Sequence, residues 1–235
     1  MAQIKTKEQI DKITKACKIT DALFTLIVKK VQKEKGDMTE IELRDFILSE
    51  IKKKGVKPSF PPIVTSGPRA GNEIHPQSTN ELLSGFVILD FGVVYEKYMS
   101  DMTRMLYVTK NKNSPNQKEK NIYEKLLASQ EAGIAMAKAG VKCSNIDAYT
   151  RKLLGKDAEY FIHMLGHGVG TRIHEEPKLY YKLDKPVLKE GMVITIEPGL
   201  YVKGKFGMRI EDTILITKKG PKVLTKSPKD LVILC

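Results

Sequence analysis

Asp90 interrupts the apolar run FVILDFG, and Glu197 interrupts VITIEPGLYV. Strand periodicity puts Asp90 on the same face as Phe86 and Ile88, toward protein rather than water, where a lone carboxylate is costly. Asp101 follows eleven residues later in SDMTRMLYV, and a hairpin turning at Tyr95 and Glu96 makes Asp90 and Asp101 cross-strand neighbours. Glu211 stands in MRIEDTILIT with Gly204 midway between it and Glu197, so these two face one another as well. Opposed like charges destabilise a sheet. Read singly, each acid is equally well explained as a surface carboxylate on an amphipathic strand. Four in matched pairs require a fold that compensates them.

The remedy is either a shared proton, as in a carboxyl dyad, or bound cations. Four negative charges match two divalent ions. The four histidines bear on the choice: three lie in HMLGHGVGTRIH, as His163, His167 and His174, and His75 lies upstream of the first acidic strand. A neutral imidazole among carboxylates shifts preference from magnesium or calcium toward manganese, iron, cobalt or zinc. His167, between glycines, is the best ligand candidate, and a carboxyl dyad leaves it unexplained. HxxxH alone is weak evidence for zinc, since the zincin motif needs Glu where Met164 stands.

Around these residues the chain reads as helix, helix, strands, twice. Thr6 with Gln9 and Thr39 with Glu42 make capping boxes ahead of amphipathic helices, the second closed by Gly55. Ser114 and Pro115 are expected to open a third helix reaching Gly140. Ser144 with Asp147 is expected to open a fourth that stops near Gly155. Asp90 to Glu197 is 107 positions and Asp101 to Glu211 is 110, which fits a duplicated α+β unit. No Gly/Ser- or Pro-rich linker intervenes, so residues 1–235 are expected to form one domain with pseudo-symmetric halves of about 1–112 and 113–235. The segment KNKNSPNQKEK reads as a solvated loop between them.

Composition excludes several classes. The longest apolar runs are strand-sized, far short of the ~20 residues of a membrane span, and the N-terminus has no apolar signal core. A soluble, cytoplasmic protein is expected. Cys17, Cys143 and Cys235 are too scattered for a disulfide framework or a zinc-ligand pair. The net charge of +12 rests on lysines spread over helix faces without interleaved aromatics, which reads as a solvated surface rather than a nucleic-acid footprint.

With IVTSGPRAGNEIH, LDFGVVYEKYMSD, HMLGHGVGTRIHEEP, EGMVITIEPGLY, MRIEDTILIT and LTKSPKDLVIL in order, the chain resembles the pita-bread metallopeptidases, the family of methionine aminopeptidase, aminopeptidase P and prolidase. The resemblance implies an α+β pita-bread fold, two pseudo-symmetric helix–helix–strands units around an antiparallel sheet, with two divalent metal ions. Manganese is the expected ion, with cobalt, zinc or iron as alternatives. It implies Asp90 as a terminal ligand, Asp101 and Glu211 as bridging ligands, and His167 with Glu197 completing the set. His75, His163 and His174 would serve substrate or proton handling, while Arg209 and Tyr201 would brace the ligands. His163, EPGLY and the Arg209-Ile210-Glu211 triplet resemble the Xaa-Pro branch. Typical aminopeptidases P and prolidases carry an additional N-terminal domain that contributes to a dimer; this chain reads as starting with the catalytic domain. Lys97 stands where a hairpin glycine is common, so the first turn is expected to differ.

The implied activity is hydrolysis of the N-terminal peptide bond of substrates with proline second, by water acidified toward neutrality at the metal centre. Glu197 would receive the water proton and pass it to the leaving nitrogen, and His163 and His174 would hydrogen-bond the carbonyl and the oxyanion. Short peptides are the expected partners, without nucleic acid or membrane, and a homodimer is compatible. Methionine aminopeptidase is the alternative enzyme. A non-catalytic pita-bread protein binding ribosome or nucleic acid is the alternative of another class.

Overall fold

A computed structural model describes residues 4–109 and 114–234. The expected boundary between the halves, at 112 and 113, lies outside the described residues. The first half runs α1 (Lys7–Lys33), α2 (Glu40–Lys53), β1 (Lys57–Pro58), β2 (Ile63–Ser66), β3 (Gly85–Phe91), β4 (Val93–Tyr95), β5 (Tyr98–Met99) and β6 (Met102–Val108). The second runs α3 (Gln117–Met136), α4 (Cys143–Leu154), β7 (Gly166–Gly168), β8 (Glu175–Leu179), β9 (Val193–Ile196), β10 (Gly199–Val202), β11 (Phe206–Arg209), β12 (Asp212–Thr217) and β13 (Gly220–Val223). A last strand, β14 (Val232–Leu234), returns to pair in parallel with β6. The main sheets have the orders β14-β6-β3-β2 and β13-β12-β9-β7-β8.

Helices α1 and α2 begin at the expected capping boxes on Thr6 and Thr39. Two expected helix starts are corrected. Helix α3 is capped by Asn116, whose side chain accepts from the Glu119 backbone while Glu119 reaches back, so Ser114 and Pro115 precede the helix. Pro at the first helical position is a common signal, but a reciprocal capping box satisfies two orphan donors and sets this start. The helix ends at Met136 rather than Gly140. Helix α4 starts one residue before Ser144, after Lys142 and without a side-chain cap. Asp147 turns inward instead, accepting from the Tyr181 backbone and from Arg151.

Both faces of β3 are buried. Val87 and Leu89 pack with Leu43, Ile47 and Ile51 of α2, whereas Phe86 and Ile88 pack toward α3, α4 and the second sheet. A fully buried side chain of this kind contributes about 1.5–3 kcal/mol, and truncating Ile47 to Ala would cost about 2–5 kcal/mol. Asp90 continues the even-numbered face, as alternation requires, and so points between the two halves.

The turn of the first hairpin lies one residue further along than expected, which moves each cross-strand partner by two. Asp90 pairs with Thr103, and Tyr95 with Tyr98, leaving Glu96 and Lys97 as the turn. Asp101 is therefore a diagonal neighbour of Asp90, not its opposite. The cause lies in the turn: Glu96 and Lys97 both take positive φ, 45° and 74°, the two-residue geometry that matches strand twist. Lys97 thus adopts the left-handed conformation in which a glycine would be unstrained. The second hairpin has the expected register. Ile196 pairs with Asp212 and Gly199 with Arg209, so Glu197 and Glu211 stand opposite one another in the short break between those pairings.

Candidate metal centre

The acids and His167 meet where the two sheets join. Asp101, His167 and Glu211 each offer a ligand atom within 4.8 Å of the others, and all three are buried. His167 Nε2 lies 3.2 Å from Glu197 Oε1 and 3.6 Å from Asp101 Oδ2. All five expected ligand residues line one cavity of about 470 Å³. Asp90 enters it from β3, Asp101 from the residue before β6, and His167 from the short strand β7. At Gly166 an added Cβ would sit 2.1 Å from the Thr195 carbonyl oxygen. That close approach of β7 to β9 lets the His167 backbone N–H donate to Thr195 Oγ1 at 3.0 Å.

Three of the four carboxylates accept a hydrogen bond from a neighbouring arginine or threonine. Arg209 Nη2 donates to Asp90 Oδ2 at 2.6 Å, and Thr103 Oγ1 donates to Glu211 Oε2 at 2.8 Å. Thr195 Oγ1 donates to Glu197 Oε1 at 3.1 Å. The remaining oxygens, Asp90 Oδ1 and Glu211 Oε1, are buried with no hydrogen-bond partner. An unpaired buried carboxylate oxygen costs the desolvation of that atom, and a divalent cation is the chemistry that removes the cost. His167 meets the same test: Nδ1 contacts the Gly168 carbonyl at 3.1 Å, so a proton there leaves the Nε2 lone pair aimed at the acids. These residues fit a hard or borderline divalent metal.

Titration behaviour reflects the crowding. Burial, then the neighbouring acids, raises Asp101 and Glu211 well above the usual carboxylate range, and burial raises Asp90 against the pull of Arg209. Burial also pushes Glu197 upward, but the His167 hydrogen bond and charge outweigh it and hold Glu197 at about 2. Reciprocally, burial disfavours protonated His167, yet Glu197 and Asp101 raise it to about 9.

His75 and His174 also line the cavity, with the His174 ring edge-on to His167 at 4.4 Å between centroids. Burial lowers the pKa of both, favouring neutral rings. His163 is placed differently. Its Nδ1 contacts the Met164 carbonyl at 2.7 Å and its Nε2 the Tyr201 hydroxyl at 3.1 Å, so both ring nitrogens are engaged, and burial takes its pKa down to about 4. Tyr201 in turn accepts from Arg209 Nη1 at 2.6 Å. The polar chain therefore runs from His163 through Tyr201 and Arg209 to Asp90. Arg209 Nε donates to Thr103 Oγ1 at 3.0 Å, extending it to Glu211.

Thr103 and Thr195 escaped the sequence reading. Alternation could have found them, because each lies two residues from an acid, Asp101 or Glu197, on the same strand face. Arg104 escaped it too. It is 1% exposed, ion-paired to Asp212 at 2.6 Å, and donates to the Thr103 backbone carbonyl at 2.9 Å. No local pattern separates such an arginine from an ordinary strand residue.

Residues 11–218 match metallopeptidase family M24, and the chain belongs to that family. Its fold is the pita-bread fold of the family's prolidases. The Xaa-Pro dipeptidase of Pyrococcus furiosus is 40% identical over 233 residues, a match covering 97% of this chain and 65% of that protein. The solved structure of the prolidase from Pyrococcus horikoshii OT3 superposes with a TM-score of 0.90 at 38% identity, over 97% of this chain and 65% of that one. The X-Pro aminopeptidase from Thermotoga maritima MSB8 superposes at 0.91 with 30% identity, over 100% of this chain and 65% of that one. The chain thus spans about two thirds of the length of these relatives.

Proposed function

We propose that this chain is the catalytic domain of a dinuclear metal-dependent exopeptidase of the Xaa-Pro type, acting on short peptides with proline second in the cytoplasm. The observation that carries the reading is the convergence of Asp90, Asp101, His167, Glu197 and Glu211 on one cavity, with Asp90 Oδ1 and Glu211 Oε1 left without protein partners. These five would hold two divalent ions, manganese foremost, which supply Lewis acidity and activate water at neutral pH. Glu197 accepts the water proton at its carboxylate and delivers it to the leaving nitrogen. Neutral His75 and His174, at the cavity wall, donate hydrogen bonds to the substrate carbonyl as its oxygen gains charge. His163, which shares an adjoining cavity with His75, His174 and Glu197, also orients Tyr201 and, through it, Arg209.

The cavity suits the substrate class. Phe60, Pro61, Pro62, Ile63 and Ile173 give it an apolar wall, and about 470 Å³ is the size of a pocket for a small ligand rather than a protein chain. Names of relatives support the proline preference, both as dipeptidase and as aminopeptidase. The test is metal-supplemented turnover of Ala-Pro, Ala-Pro-Ala and Met-Ala-Ser in parallel. Hydrolysis of the prolyl peptides is expected, and their ratio assigns dipeptidase or aminopeptidase. Cleavage of the methionyl peptide alone would reassign the chain to methionine aminopeptidase. No metal uptake together with salt-sensitive RNA binding would make it a binding protein.

A further inference from the structure

We infer that the buried ion pair between Lys5 and Glu175 is a positioning device for His174; the inference rests on the proposed role of that histidine. Lys5 precedes the cap of α1, and Glu175 opens β8 immediately after His174. Their side chains are 2% and 3% exposed, and Lys5 Nζ lies 2.5 Å from Glu175 Oε2. The second oxygen, Oε1, accepts from the backbone N–H groups of Thr171 and Arg172 at 2.9 and 3.2 Å. One carboxylate therefore closes the turn that ends in His174. The turn is tethered from behind by the Met99 N–H on the Gly170 carbonyl, and Lys5 by its own N–H on the Gly191 carbonyl, both at 2.8 Å.

A buried pair of this kind is a poor source of stability, because desolvating two charges offsets their attraction and apolar side chains could fill the same space. What it supplies is geometry: the carboxylate keeps its hydrogen bonds only in one placement of the turn. Gly170 shows how little slack there is, since an added Cβ would meet Glu175 Oε1 at 2.4 Å and Lys5 Nζ at 2.5 Å. His174 is one peptide bond away, its ring against that of His167. A displacement of about 1 Å in such a group can cost on the order of 100-fold in rate. None of the five cavity carboxylate and imidazole groups requires Lys5 or Glu175 as a partner, so the pair acts through the turn.

The test uses the full chain with metal bound. Lys5→Met removes the cation, and Gly170→Ala displaces the pair without touching either charge. Both are expected to lower kcat on Ala-Pro at least ten-fold with KM within two-fold and bound metal unchanged. Hydrogen exchange at the Thr171 and Arg172 amides should accelerate at least ten-fold in Lys5→Met, with α2 and α3 unaffected. Retention of kcat within two-fold by both variants, a loss that merely tracks metal content or folded fraction, or unchanged exchange at the two amides would each overturn the inference. If the parent chain hydrolyses no Xaa-Pro peptide, the proposed function fails, while the exchange measurement still decides whether the pair holds the turn.

Discussion

Arg209, from the second half of the chain, donates to Asp90 of the first at 2.6 Å, and both are almost completely buried. The reverse bond, Thr103 of the first half to Glu211 of the second, completes an exchange in which each half orients the other's carboxylate. Groups that orient metal ligands typically change metal affinity about 10–100-fold when removed. Thr103→Val keeps the shape and deletes both the donor to Glu211 and the acceptor of Arg209 Nε, so it should weaken metal binding by that factor with the fold intact. Titration calorimetry with manganese would show it; unchanged affinity would mean that Glu211 is held by packing alone.

Asp101→Asn should abolish peptide hydrolysis while leaving the fold unchanged by circular dichroism. In chelator it should make the protein more stable than its parent at neutral pH, because burial and the neighbouring acids disfavour a charged carboxylate at this position. Full turnover by this variant would sink the metal assignment.

Metal-free stability should fall as pH rises. Asp90, Asp101 and Glu211 have folded-state pKa values raised above their unfolded ones near 4, so their contribution is intact below pH ~4 and is lost as pH climbs through the raised values. His167, raised to about 9, acts in the same direction between about 6.5 and 9, whereas Glu197, lowered to about 2, contributes above pH ~4 and is lost only as pH falls toward 2. Denaturant titrations in chelator from pH 5 to 9 should show a monotonic decline, and manganese should reverse it with proton release, seen as buffer-dependent binding enthalpy.

Tyr201→Phe removes the hydroxyl that joins His163 to Arg209. Leaving those buried groups short of a partner should cost about 1–3 kcal/mol. Thermal unfolding of the metal-bound protein should show the destabilisation, and turnover should fall with it as Arg209 loosens its grip on Asp90.

Lys97→Gly should stabilise the chain by about 0.5–1 kcal/mol. The left-handed turn position costs an L-residue roughly 1–2 kcal/mol, and glycine's extra chain entropy takes back part of the gain. Chemical denaturation would detect the shift.

The amino-acid order alone determined the local rules. Capping boxes at Thr6 and Thr39, alternation in FVILDFG, and a second hairpin centred on Gly204 all follow from interactions a few residues apart, and each is present in the fold. Charge counting then singled out four acids and His167 as candidate ligands, and all five line one cavity. The turn of the first hairpin, at Glu96 and Lys97, lies one residue beyond the expected place, because no Asn-Gly or Asp-Gly marks it in the sequence. What only the tertiary structure decided lies across long chain separations: Arg209 on Asp90, Thr103 on Glu211, Lys5 on Glu175 some 170 positions away, and Tyr201 on His163. Those contacts form only after distant segments close on each other. Their partners are therefore chosen by the packing of the two sheets, a quantity that short-range periodicity does not carry.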